Sequence, residues 1–190
     1  MLLSRIQARS SNPALVRAAA ILLFAALTAI SARLTILLPF TPVPITLQVM
    51  IVLLAGLTLG AKDGALSQIL YVTTIAFGLP FDAKGIGAAA FAGATAGYLI
   101  GFIPAAFITG WLTEKGARGK RVWSFAASLI GVAVIYTIGT AWLTIGVLSN
   151  DWSKGWALGA APFIIVDTIK ALLAAVCAEG TRAGIDRVGH

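Results

Sequence analysis

The chain has 190 residues, of which 59% are hydrophobic and 11% charged, with a net charge of +7. A charged fraction less than half the globular norm of about 25% leaves more apolar surface than a soluble domain of this length can hide, so the class is an integral membrane protein. One cysteine (Cys177) and one histidine (His190) exclude an intramolecular disulfide, a cysteine-cluster metal site and a histidine-based triad.

In chain order, residues 1–17 form a basic segment and 18–38 the first of six expected spans. A secretory signal peptide is the competing reading of residues 1–32, but the apolar run is longer than an ordinary h-region. Ala25 and Ala29 make a small-xxx-small pair, extended by Ala18 and Ala32, of the kind that lets membrane helices approach closely.

Residues 39–48 follow, with Pro39, Pro42 and Pro44. Proline fixes φ and removes a donor, which predicts a stiff, non-helical strap. Its carbonyls and the Thr41, Thr46 and Gln48 side chains can line a cavity, the setting in which irregular backbone is tolerated at membrane depth. A plain proline-stopped connection fits the segment equally well.

Spans at 47–60 and 64–77 are short for a bilayer that needs about 20 apolar residues. Only Ala61-Lys62-Asp63 separates them, which predicts a tight helical hairpin; neither shows the period-2 alternation of a barrel strand. A glycine-rich stretch over 78–98 comes next and reads as a loop of tight turns. Lys84 within it is either a ligand contact or an exposed loop charge. The Gly85/Gly87 spacing is not a phosphate loop, because no strand precedes it.

The fourth span covers 88–112, where Ala89, Gly93, Gly97, Gly101 and Ala105 recur every four residues as one packing stripe. The fifth covers 122–148 and the sixth 157–178, with Cys177 read as a small buried residue near its end. Pro162 suits the first turn of that last helix. Asp167 and Lys170 then lie at i, i+3 on one face, roughly 7 and 12 Å inside it at about 1.5 Å per residue. Each charge costs several kcal/mol in a membrane unless paired or solvated, so the pair marks a functional site; a pair that only pins helix packing is the competing role.

Basic residues sort the ends. Arg5, Arg9, Arg17, Lys62, Lys115, Arg118, Lys120, Arg121, Arg182 and Arg187 fall on one side of the six spans, and Arg33, Lys84 and Lys154 on the other. The positive-inside rule makes the first side, with both termini, cytoplasmic. The strap, the glycine-rich loop and the charged pair then converge on the outer half. Clustering at membrane ends, with no aromatics interleaved, also argues against a nucleic-acid surface.

No ATP-binding or hydrolase motif is present. The nearest string to a phosphate loop, Gly116-ARGK-Arg121, lacks its Ser/Thr, and neither G-x-S-x-G nor HExxH occurs. The residues thus describe a non-enzymatic site for a small polar ligand with an apolar body. Asp167 would accept N–H donors, and Lys170 would meet an acceptor or an anion. A ligand-free membrane scaffold built on the Gly/Ala faces is the reading from another class.

The strap TPVPITLQ, the stretch GLP followed by GATAGYLIGF, and the closing PFIIVDTIKA resemble the BioY family. These are the biotin-binding S components of energy-coupling factor (ECF) vitamin transporters. The resemblance runs in order over about 25–175 and implies an all-α, polytopic S-component fold of six transmembrane helices in a single domain, 1–190, in a bacterial plasma membrane. It implies biotin as transported ligand, with no cofactor and no metal, and an ECF module of two ATPases and a transmembrane coupling protein as partners; homo-oligomerisation and specificity for another vitamin stay open. Asp167 and Lys170 would contact the ligand, with Thr41, Gln48, Lys84 and Tyr98 around it, and Ala25 and Ala29 would face the coupling protein. Tyr98 serves ligand packing or core packing. Where many relatives carry GPTGGY, this chain reads Gly93-Ala94-Thr95-Ala96-Gly97-Tyr98.

Overall fold

The computed structural model describes residues 12–117 and 120–188, and these form a helical bundle. Helix α1 (Pro13–Ala32) opens with Pro13 in its first turn, where a missing N–H costs nothing, and Asn12 caps it by accepting the Leu15 N–H at 3.2 Å. The strap folds back on itself through a two-residue antiparallel ladder. In it β1 (Thr35–Ile36) pairs with β2 (Ile45–Thr46), Thr35 opposite Thr46. The first span therefore ends at Ala32 rather than residue 38, because Thr35 and Ile36 are taken into this ladder.

Helices α2 (Gln48–Leu59) and α3 (Ala61–Ala76) form the expected hairpin, but the corner is Gly60 alone. Its φ of +96° is open only to glycine at low cost, so one residue reverses the chain. Lys62 and Asp63 belong to the first turn of α3, where the carboxylate suits the helix N-terminus. A Cβ on Gly110 would lie 2.4 Å from the Ala61 nitrogen, so the corner rests directly on a facing helix.

That helix is α4 (Ala96–Leu112), which begins well after residue 88. Residues Gly87–Ala92 make a 3-10 turn, and Gly93 is extended. The packing stripe consequently shortens to Gly97, Gly101 and Ala105. They face α5 (Arg121–Gly146), where a Cβ on Gly97 would come within 2.3 Å of Trp142 Cβ. Ala89 lies outside the helix and is exposed.

A short helix, α6 (Trp152–Gly159), and a 3-10 turn (Ala161–Phe163) precede α7 (Ile164–Val188). Pro162 explains the break. It has no N–H to donate and disfavours the α conformation at the residue before it, so α6 cannot run into α7 as one helix.

Four stretches are long and apolar enough to cross a membrane: Pro13–Ala32, Ala96–Gly116, Arg121–Gly146 and Trp152–Gly184, the last of which contains α6 and most of the 25-residue α7, itself long enough to span. The back-to-back α2 and α3 complete a six-helix bundle with α1, α4, α5 and α7. Lipid tails are as apolar as leucine, so helices in a bilayer cohere by close contact and polar ties more than by apolar burial. The glycine contacts supply the first.

The ties are explicit. Arg17 Nη2 meets Asp63 Oδ1 at 2.7 Å, and Gln68 Nε2 donates to Thr28 Oγ1 at 3.3 Å, joining α1 to α3. At the basic end Ser124 Oγ donates to Glu179 at 2.6 Å. Arg182 donates both to Glu179 and to the Leu57 carbonyl, so α7 is bound there to α5 and α2.

Candidate functional site

A cavity with an open mouth lies at the end of the bundle away from Arg17, Lys62 and Arg182. The strap, the loop after α3, α4, α5 and the start of α7 enclose it. Val49, Leu99, Phe102, Ile135 and Phe163 make most of the wall apolar.

Asp167 and Lys170 line this cavity and are only 4% and 5% exposed. They occupy the first two turns of α7, so Asp167 also gains from the helix N-terminus. Lys170 Nζ donates to Asp167 Oδ1 at 2.6 Å, and Tyr136 Oη, from α5, donates to Asp167 Oδ2 at 2.8 Å. Each carboxylate oxygen is thus held by one donor. A carboxylate has about four acceptor positions, so both oxygens keep capacity for a ligand N–H. The ammonium, with three donors and one committed to Asp167, can meet an acceptor beside that N–H. The low-dielectric wall strengthens both contacts.

Gln48 also lines the cavity, at the start of α2. Its Oε1 accepts from Thr46 Oγ1 at 3.2 Å, and its Nε2 donates to Tyr71 Oη at 2.6 Å. Tyr71 Oη donates in turn to the Phe81 carbonyl at 3.0 Å. This relay ties the strap to the loop across α2 and α3. Tyr98 contributes its ring to the wall and donates to the Gly159 carbonyl at 2.7 Å. A Cβ on Gly139 would lie 2.4 Å from that ring, so the tyrosine serves the cavity and the core together.

Other expected positions fall elsewhere. Thr41 is buried outside the cavity wall, donating to the Leu158 carbonyl at 2.6 Å and accepting the Val43 N–H at 3.2 Å; it holds the strap to α6. The Lys84 side chain is exposed and away from the cavity, and only its backbone N–H is engaged, donating to Asp82 at 2.9 Å. Ala25 turns into the bundle at 7% exposure, and Ala29 packs part-buried against the same core while keeping some exposed surface. Cys177 is exposed, because its position on α7 faces outward rather than into the bundle.

Two wall residues escaped the sequence reading. Tyr136 sits in an otherwise apolar span, and a phenol there needs a hydrogen-bond partner just as a charge does. Asp82, 2% exposed, accepts N–H groups from Lys84 and from Gly87 at 2.7 Å, shaping the loop from inside. Its signal was an Asp just ahead of glycines whose φ is positive, Gly85 and Gly87, the arrangement of a side-chain-capped turn.

Comparison with known proteins identifies the family. The chain matches the BioY family model over residues 6–187. It is 42% identical over 158 residues to the probable biotin transporter BioY of Pyrococcus horikoshii, covering 83% of this chain and 90% of that one. Against the biotin transporter BioY of Thermotoga maritima it is 40% identical over 158 residues, 82% and 89% of the two chains. The fold superimposes on the crystal structure of an S-component for biotin from an ECF-type ABC transporter with a TM-score of 0.84 and 28% identity, covering 92% of this chain and 94% of that one. This multi-pass membrane protein, with its S-component fold, belongs to the BioY family.

Proposed function

We propose that this chain is the substrate-binding S component of a biotin uptake system, capturing biotin in the cavity under the strap. The observation that carries the reading is a buried acceptor–donor pair, Asp167 and Lys170, on the wall of a largely apolar cavity. Biotin's ureido ring presents an N–H beside a C=O. That edge complements a carboxylate and an ammonium held 2.6 Å apart, with the N–H on Asp167 and the carbonyl on Lys170. The thioether ring and aliphatic chain would lie against Val49, Leu99, Phe102 and Phe163, where burial of each CH₂ contributes about 0.8 kcal/mol.

The same reading assigns orientation and partners. Arg17, Lys62, Lys115, Lys120, Arg121 and Arg182 gather at the end away from the cavity, so that end is cytoplasmic and biotin enters from outside. The likeness to an S-component from an ECF-type ABC transporter supports energy supplied by partner ATPases through a transmembrane coupling protein. Because Ala25 is buried, the coupling protein would meet other positions of α1, whose Leu22, Leu23 and Ile30 are exposed.

Calorimetric titration of the detergent-purified protein tests the proposal. Biotin should bind, desthiobiotin should compete because it keeps the ureido ring, and Asp167→Asn should weaken both. Absence of biotin binding by the unmutated protein would overturn it.

A further inference from the structure

The short helix α6 is not explained by the binding site, and its surface is unusual. Gly155 and Gly159 face inward: a Cβ on Gly155 would lie 1.9 Å from Thr144 Oγ1, and one on Gly159 would lie 2.6 Å from Tyr98 Oη. Trp152 and Trp156 are 58% and 56% exposed. At about 100° per residue these two indoles stand side by side, and Lys154 points directly away from them. Lys154 Nζ pairs with Asp151 Oδ2 at 3.1 Å on that opposite side, with both side chains open to solvent. The Asp151 carboxyl is held below the usual carboxylate range, first by the Lys154 N–H that it accepts as helix cap. One edge of α6 is thus aromatic and the other ionised.

Its place in the chain limits its depth. α6 lies between the end of one membrane-length helix, α5 at Gly146, and the start of another, α7 at Ile164. A helix so tethered is within reach of the membrane surface. The other tryptophans mark the same boundary and its opposite. Trp142 is exposed near the cavity end of α5, while Trp111 and Trp123 are exposed near the basic ends of α4 and α5. All five tryptophans therefore lie toward helix ends, where membrane proteins concentrate indoles at headgroup level.

We propose that α6 is an interfacial membrane anchor, with Trp152 and Trp156 seated in the lipid headgroup boundary at the cavity end and Lys154 and Asp151 facing water. The occupant of this exposed aromatic edge is lipid, as for other amphipathic interfacial helices. The anchor bears on the cavity mouth. The Leu158 and Gly159 carbonyls of α6 accept from Thr41 of the strap and Tyr98 of the wall, so the depth of α6 sets the height of both. This placement stands whether or not the ligand is biotin.

Quenching of tryptophan fluorescence in phosphatidylcholine vesicles tests it. The contribution of the pair is the difference between the full chain and its Trp152→Phe/Trp156→Phe variant; both sites are exposed, so the variant folds. Bromine placed near the headgroup end of the acyl chain should remove most of that difference signal. Bromine near the chain terminus, and aqueous iodide, should remove little. Dominant quenching by iodide would place α6 in water, and dominant quenching by the terminal bromines would place it in the hydrocarbon; either result overturns the proposal. A triple Trp111→Phe/Trp123→Phe/Trp142→Phe chain, retaining only the pair, gives the same readout directly.

Discussion

Replacing Lys170 by methionine gives the sharpest test of how the buried pair works. The side chains of Lys170 and Asp167 are 7% and 5% exposed, so solvent does little to screen them. Methionine keeps most of the volume but leaves Asp167 with one partner inside the protein, the Tyr136 hydroxyl at 2.8 Å. Removing one member of a buried pair costs about 3–5 kcal/mol, and the surviving phenol bond puts this case near the lower end. For a chain of this size a loss of about 3 kcal/mol lowers the thermal midpoint by roughly 6–12 °C. Adding Asp167→Asn removes the stranded charge while still offering an oxygen to Tyr136, so the double variant should recover most of that loss. Biotin binding should not recover, because the acceptor–donor edge is gone. Thermal unfolding in detergent, paired with biotin titration, measures both. Additive destabilisation in the double variant would show that the charges are not coupled, and biotin binding by the double variant would show that they are not the site.

Tyr136→Phe removes a hydrogen bond to a charged acceptor, worth about 1.5–3 kcal/mol, and frees the Asp167 carboxylate to turn toward Lys170; biotin affinity measured by calorimetry should fall by about tenfold. Gly139→Ala places a methyl 2.4 Å from the Tyr98 ring. Overpacking of about 1–3 kcal/mol should appear as a lower unfolding temperature, and an unchanged one would mean that the ring is not seated there. Lys84→Ala should leave biotin affinity unchanged in the same titration, because its ammonium lies outside the cavity; a large loss would bring that side chain into the site.

Much of this architecture was legible from hydropathy and charge. Six helices, two of them short, follow from the spacing of apolar runs, and both strap and loop were marked by proline and glycine. Boundaries were harder, for specific reasons. The polar Ala61-Lys62-Asp63 points to an α2–α3 corner there, but a single glycine at φ +96° suffices to turn the chain, and charges are welcome in a first helical turn. The Ala89–Ala105 stripe looked continuous because a four-residue spacing says nothing about whether the backbone is helical. In the site, Asp167 and Lys170 announced themselves by the cost of a charge in a membrane. Tyr136 did not, because a tyrosine in an apolar span costs little until its hydroxyl needs a partner. Thr41 and Lys84 lie in the right segments but outside the cavity wall. Which way a side chain points in an irregular segment depends on contacts distant in sequence, here the Leu158 carbonyl for Thr41.

The final helix shows the limit of spacing as evidence. It carries two acid–base pairs at i, i+3, Asp167/Lys170 and Glu179/Arg182, and all four residues are buried. By spacing and burial alone they are the same device. Their surroundings differ. Arg182 reaches past its carboxylate to the Leu57 carbonyl near the end of α2, and Ser124 donates to Glu179, so the second pair is spent on neighbouring helices and knits the basic end together. The first pair is held by the Tyr136 phenol and opens onto a largely apolar cavity, and its polar atoms keep capacity beyond their internal bonds. A buried pair whose hydrogen bonds end on the backbone and side chains of neighbouring helices is a tie. One whose remaining capacity opens onto a cavity is a site, and on α7 only the cavity side separates the two.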